Sequence, residues 1–128
     1  MLNASKAYSG FAVDDVGTAK QFYGETLGLE ASLLDVGQDE SLLQLDLGGR
    51  QLLVYPKPDF TPATYTILNF PVEDVEATVA ELTAKGVSFE RYDGFEQDAK
   101  GIDRSGPAGG IAWFTDPAGN ILAVHGEM

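Results

Sequence analysis

His125 is the only histidine of this chain, and the chain has no cysteine. Without a thiolate there is no cysteine nucleophile, no disulfide and no thiolate-ligated zinc or iron–sulfur site. One imidazole cannot supply a two-His-one-carboxylate iron triad. No serine or carboxylate is evidently spaced to complete a nucleophilic triad with it. His125 therefore reads either as a lone base or orienting donor on a strand, or as a partly exposed residue near the C-terminus without a role. Carboxylates are abundant: 20 acidic residues against 8 basic ones give a net charge of −12. A carboxylate site for Mg²⁺ or Mn²⁺ stays open on that count. The same charge argues against a phosphate-backbone partner, which needs clustered Lys and Arg. It either keeps the surface soluble or attracts cations.

The other residues with chemistry to offer are aromatic: Tyr8, Tyr55, Tyr65, Phe95, Trp113 and Phe114. For each alone, core packing is the plainer reading. Strand alternation lets only one of Trp113 and Phe114 face a cavity. Gathered around one cavity they would make a flat-walled apolar pocket, suited to a planar or aromatic ligand, or to a cation. Arg50 and Arg104 read as surface charge, with Arg104 the better candidate for a ligand clamp.

The elements that must position these residues are repeated. Leu42–Pro56 lies over Ile111–His125 without a gap, with Gly48-Gly49 falling on Pro117-Ala118 of the turn Asp116–Asn120. Both stretches read as β-hairpins. Phe11–Val16 likewise matches Phe70–Val75: in each, an apolar strand runs into an acidic helix cap. The chain is thus one α+β domain of two modules, residues 1–57 and 63–128, each strand–helix–three strands. The linker 58–62 lies in the proline-rich stretch Pro56–Pro62. In module one the spacing predicts a strand over Ser5–Val13 and a helix capped by Asp14 or Asp15 and ended by Gly28. Strands follow over Ala31–Val36, Leu42–Leu47 and Gln51–Tyr55, with the polar Gly37–Ser41 between the first two. In module two it predicts a strand over Ala63–Val72, a helix capped by Asp74 and ended by Gly86, and a strand over Val87–Tyr92. The loop Asp93–Gly109 then breaks the symmetry, and a loop of that length is where a ligand mouth is expected. The longest apolar runs are about five residues, short of the roughly 20 needed to cross a membrane. The N-terminus has no apolar signal core, so a cytoplasmic location is expected.

The opening FAVDDVGTAKQFYGETLGLE and the closing DPAGNILAVH resemble the vicinal oxygen chelate superfamily, which includes glyoxalases, extradiol dioxygenases and the bleomycin- and fosfomycin-resistance proteins. The resemblance covers nearly the whole chain. It implies two βαβββ modules forming curled mixed sheets, half-barrels related by a pseudo-two-fold repeat, commonly completed in a homodimer. Metal-using members place four His, Glu or Gln ligands at positions that here carry Tyr8, Val54, Ile67 and Ala123. Val54, Ile67 and Ala123 have no lone pair to give, and a phenol with pKa near ~10 is a poor ligand at neutral pH. No metal, no other cofactor and no catalytic residue are therefore expected.

These readings lead to a metal-free protein that sequesters an aromatic or cationic small molecule, with Tyr8, Val54, Ile67, Phe95, Arg104, Trp113, Ala123 and His125 around the ligand. Two alternatives stand beside it. One is a lyase, isomerase or dioxygenase with a relocated metal, or with metal-free chemistry at His125 or Tyr8. The other is a non-catalytic interaction module. Neither nucleic acid nor membrane is an expected partner.

Overall fold

The computed structural model describes residues 1–35 and 41–127. The end of the strand expected at Val36 and most of the polar stretch after it lie outside the described residues. The chain forms two compact units, Met1–Pro62 and Ala63–Met128.

The first unit is a four-stranded sheet in the order β1-β4-β3-β2, from β1 (Ser9–Val13), β2 (Glu30–Asp35), β3 (Ser41–Leu47) and β4 (Arg50–Pro56). β1 runs parallel to β4, and the other pairs are antiparallel. Helix α1 (Val16–Gln21) starts where Asp15 Oδ1 accepts from the amides of Gly17 and Thr18, at 2.9 and 3.3 Å. Those two donors have no intrahelical partner, so the carboxylate stabilises this end. A π-helical turn, Phe22–Thr26, continues it and brings Tyr23 over the sheet. One sheet face is dry: Phe11, Val13, Leu43, Leu45, Leu52 and Val54 are buried with Val16, Ala19 and Tyr23 of the helical segment. The Phe11 and Tyr23 rings meet at 5.7 Å. Full burial stabilises each of these larger side chains by about 1.5–3 kcal/mol.

The strand predicted over Ser5–Val13 begins only at Ser9. Ala4–Lys6 is instead a 3₁₀ turn, capped by Asn3, whose side chain accepts from the Ser5 amide at 3.1 Å. Asparagine at a cap competes with strand pairing for the local backbone.

The second unit is a three-stranded sheet in the order β5-β7-β6, from β5 (Thr66–Val72), β6 (Ile111–Thr115) and β7 (Ile121–Gly126). β5 is parallel to β7, and β6 is antiparallel to it. Helix α2 (Val75–Ala84) is capped by Asp74, buries Val75 and Val79, and is followed by Gly86 at φ 95°. The strand predicted over Val87–Tyr92 does not form. Towards β6 that segment makes a bridge, Phe89 to Phe114, and a bond from the Glu90 amide to the Trp113 carbonyl at 2.7 Å, while the Val87 amide donates back to the Leu82 carbonyl at 3.0 Å. Gln97 supplies the reason. Its side chain accepts from the Tyr92 amide and donates to the Glu90 carbonyl, both at 2.8 Å. An amide side chain from the following loop thus takes backbone groups that a ladder would have used.

The registers refine the repeat. Leu43 pairs with Val54, which lies beside Phe11; Ala112 pairs with Val124, which lies beside Phe70. The gapless match therefore holds from β3 to β6 but fails by one residue from β4 to β7. Gly48-Gly49 is answered by three residues, Pro117-Ala118-Gly119, with Gly119 at φ 96°. The counterpart of Val54 is Val124, and the counterpart of Ala123 is Leu53. A one-residue slip moves a side chain to the opposite sheet face.

The turn itself is held by its signature. Asp116 Oδ1 accepts from the amides of Ala118 and Asn120 at 3.0 and 2.9 Å, and Asn120 Oδ1 accepts from the Ala63 amide at 3.3 Å. The DPAGN motif therefore does structural work, closing the hairpin and tying down the start of its own unit.

Candidate functional site

The sheet of the second unit has one face toward α2. A Cβ at Gly110 would lie 3.7 Å from Val75 of α2, and Phe114 stands on the same side, its ring 5.5 Å from that of Phe89. Trp113 therefore takes the opposite face. The registers lay out that face in rows: Trp113, Ala123 and Asn69 in one, Ile111, His125 and Pro71 in the next. Asn69 is exposed.

The segment after Glu90 folds over this face. The Phe95 and Tyr92 rings reach that of Trp113 at 4.7 and 5.5 Å, both inclined to it, and Tyr92 meets Phe95 at 6.5 Å. Inclined arrangements put a positive ring edge against a negative face, each worth roughly 0.5–1.5 kcal/mol beyond burial. Trp113 and Ala123 are buried, whereas Phe95 is 49% exposed. Solvent thus meets the cluster mainly through Phe95. Burial, and then the charge of Glu90, raise the Tyr92 pKa above its ordinary value of 10.0, so the phenol stays neutral. Glu90, Asp93 and Glu96 accompany these rings in sequence.

His125 is half-buried, and its Nδ1 lies 2.7 Å from the Gly126 carbonyl oxygen. With the proton on Nδ1 the ring donates there and leaves Nε2 as an acceptor.

The structure gathers Phe95, Trp113, Ala123 and His125 of the predicted residues. Ile67 sits in β5 where the register shifts between Thr66 and Leu68. Val54 lies apart from these residues in the first unit's own sequence of strands. It is fully buried on the dry face of the first unit with Phe11 and Leu43, and the open face at that level carries Leu53. Tyr8 precedes β1 and is 65% exposed. Arg104 is bound elsewhere, its Nη2 3.2 Å from Asp98 Oδ2 and 3.5 Å from Glu76 Oε2. Sequence reasoning missed Tyr92 and Asn69. The over-extended strand Val87–Tyr92 hid the first. The one-residue register shift hid the row that holds the second.

The chain matches the model of the Glyoxalase/Bleomycin resistance protein/Dioxygenase superfamily over residues 7–124. It belongs to that superfamily. Solved structures agree with this on the fold. TnmS3, an antibiotic binding protein from Streptomyces sp. CB03234, is 27% identical with a TM-score of 0.68, covering 99% of this chain and 100% of its own. A glyoxalase family protein from Enterococcus faecalis is 25% identical with a TM-score of 0.63, covering 93% of each chain. The fosfomycin resistance protein FosX from Listeria monocytogenes shares the fold at 14% identity, with a TM-score of 0.72 and coverage of 99% and 94%. No curated protein matches the chain in sequence.

Superfamily membership raises the question of a divalent ion. The positions assigned by the resemblance hold Tyr8, Val54, Ile67 and Ala123, and replacing Val54 by its register-corrected neighbour Leu53 adds no lone pair. That donor set does not fit the ion. Among the described residues, no three His, Cys, Asp or Glu side chains are gathered so that they could hold a metal. No helix among them is long and apolar enough to cross a membrane.

Proposed function

We propose that this superfamily member binds a planar aromatic or cationic small molecule without a metal ion, and acts by sequestering it. The observation that carries this reading is the Tyr92–Phe95–Trp113 cluster on the sheet face that also holds Ala123 and His125. A half-exposed ring over a buried indole offers a stacking surface, and the charge of Glu90, which acts on Tyr92, favours a positive ligand. The likeness to an antibiotic binding protein at 27% identity supports the same class of activity. A homodimer and a cytoplasmic location accompany the proposal. Exposed Leu34 and Tyr55, on the side of the first sheet away from α1, would suit contact with a second copy.

The test is thermal unfolding of chelator-treated protein with graded 1-methylquinolinium, a planar cation. A ligand that binds only the folded state stabilises it by about 2.7 kcal/mol at a hundred times its Kd. The midpoint should rise with concentration, equally with and without added divalent ions. No rise at millimolar probe, or a rise that needs the ion, would count against the proposal.

One observation favours a second reading, an enzyme acting through His125. The contact of Nδ1 with the Gly126 carbonyl orients the ring and its tautomer. His125→Ala would abolish turnover under that reading, and alter affinity at most under the first.

A further inference from the structure

The α2 side of the second unit carries a groove of about 640 Å³ that has no part in the cluster above. Val79, Ala80, Val87 and Phe89 contribute its apolar lining, and Arg91 and Lys100 its charge. The volume falls in the range of small-molecule sites, roughly 300–1,000 Å³.

The composition of the groove is the reverse of the chain's. Acidic residues outnumber basic ones 20 to 8 overall, yet the lining holds two basic residues and no Asp or Glu. Lys100 is spoken for, since its Nζ lies 2.8 Å from Glu76 Oε1. Arg91 is placed differently. Its Nη2 donates to the neutral Asp98 carbonyl at 2.6 Å, and among the described residues no carboxylate forms an ion pair with it. A guanidinium has five donors in a planar fork, so one bond to a carbonyl leaves capacity for a carboxylate. We propose that this groove is a second binding site, for a small amphipathic carboxylate whose apolar tail lies along Ala80 and Phe89 and whose head pairs with Arg91.

The charge sign separates this site from the Trp113 cluster. The groove selects an anion, whereas the cluster is accompanied in sequence by Glu90, Asp93 and Glu96 and favours a cation. The chain as a whole repels anions, so the local arginine must overcome that field.

The experiment titrates 4-phenylbutanoate, 4-phenylbutanamide and 4-phenylbutylamine into the full chain, followed by amide chemical shifts and by Trp113 fluorescence. The carboxylate should saturate with shifts centred on Val79, Ala80 and Phe89 and leave the fluorescence unchanged. The amide and the amine should bind at least tenfold more weakly. Arg91→Gln should weaken the carboxylate at least tenfold. Ala80 is exposed on α2, so Ala80→Trp should block binding while leaving the unfolding midpoint in place. Equal binding of the three probes, unchanged affinity in Arg91→Gln or Ala80→Trp, shifts centred on Trp113, or no saturation would each overturn the proposal.

Discussion

At the scale of single residues, chemistry and packing divide cleanly. Phe95 offers its ring to solvent and makes few demands on the fold, while Trp113 and Ala123 beneath it are buried. Phe95→Ala should therefore weaken binding of a planar cation about tenfold and move the unfolding midpoint little, as titration and melting of the same variant would show. Trp113→Ala should instead cost roughly 3–5 kcal/mol of stability, the usual penalty for emptying a large buried site. Asp116 is a residue of the fold and not of the site: its carboxylate is buried and takes two backbone amides. Asp116→Ala should destabilise by about 2–3 kcal/mol in denaturant unfolding, because buried amides lose a charged acceptor. Its place in a family signature thus reflects turn geometry. That distinction was legible in DPAGN as a turn, but the reach of Asn120 to Ala63 was not, since the two are far apart in sequence.

At the scale of elements, the informative differences come from loops and registers. Apolar spacing and Asp caps located both helices and most strands, because burial and capping act over a few neighbouring residues. The fate of Val87–Tyr92 depended on Gln97, which competes for its backbone, and a propensity pattern carries no sign of that. The face of Val54 depended on one extra residue in a turn. Loop Asp93–Gly109 is clamped by carboxylates. Asp98 Oδ1 accepts from the amides of Ile102 and Lys100 at 3.0 and 2.9 Å, and Asp103 Oδ1 from the Ser105 amide and hydroxyl at 2.8 and 2.6 Å. The Ile102 amide holds the Asp98 carboxyl below its ordinary 3.8, and the Ser105 hydroxyl does the same for Asp103. Both groups thus bind a proton less readily folded than unfolded. Their contribution is complete above pH 3.8 and is lost as pH falls through the depressed folded values. Exchange protection of the Ile102 and Ser105 amides, relative to the unstructured rate at the same pH, should fall over that acid range, and Asp98→Asn should flatten the response at Ile102. The loop also limits β7. A Cβ at Gly126 would run into the Ala108 carbonyl oxygen, which is backbone and cannot swing aside. Gly126→Ala should lower stability by at least roughly 1–3 kcal/mol, measured by chemical unfolding.

At the scale of the whole molecule, duplication explains both what the sequence revealed and where it misled. Two modules of related pattern made the α+β architecture and the superfamily readable from end to end, and residues 7–124 match its model. The same symmetry invited a gapless transfer from β7 back to β4, which placed Val54 one residue away from the true counterpart of Ala123. The slip leaves the chemical argument about the donor set unchanged, because Leu53 is as poor an electron donor as Val54. The net charge of −12 acts over the entire chain, so a cationic ligand should bind more weakly as salt rises, whereas an uncharged aromatic should be nearly indifferent. The measurement that bears most directly on metal-free recognition uses the single tryptophan. Chelator-treated protein is titrated with 1-methylquinolinium while Trp113 emission is followed, and the titration is repeated with added Mg²⁺, Mn²⁺ or Zn²⁺. The account predicts saturable quenching with the same midpoint in every case. Quenching that appears only once an ion is restored would contradict it.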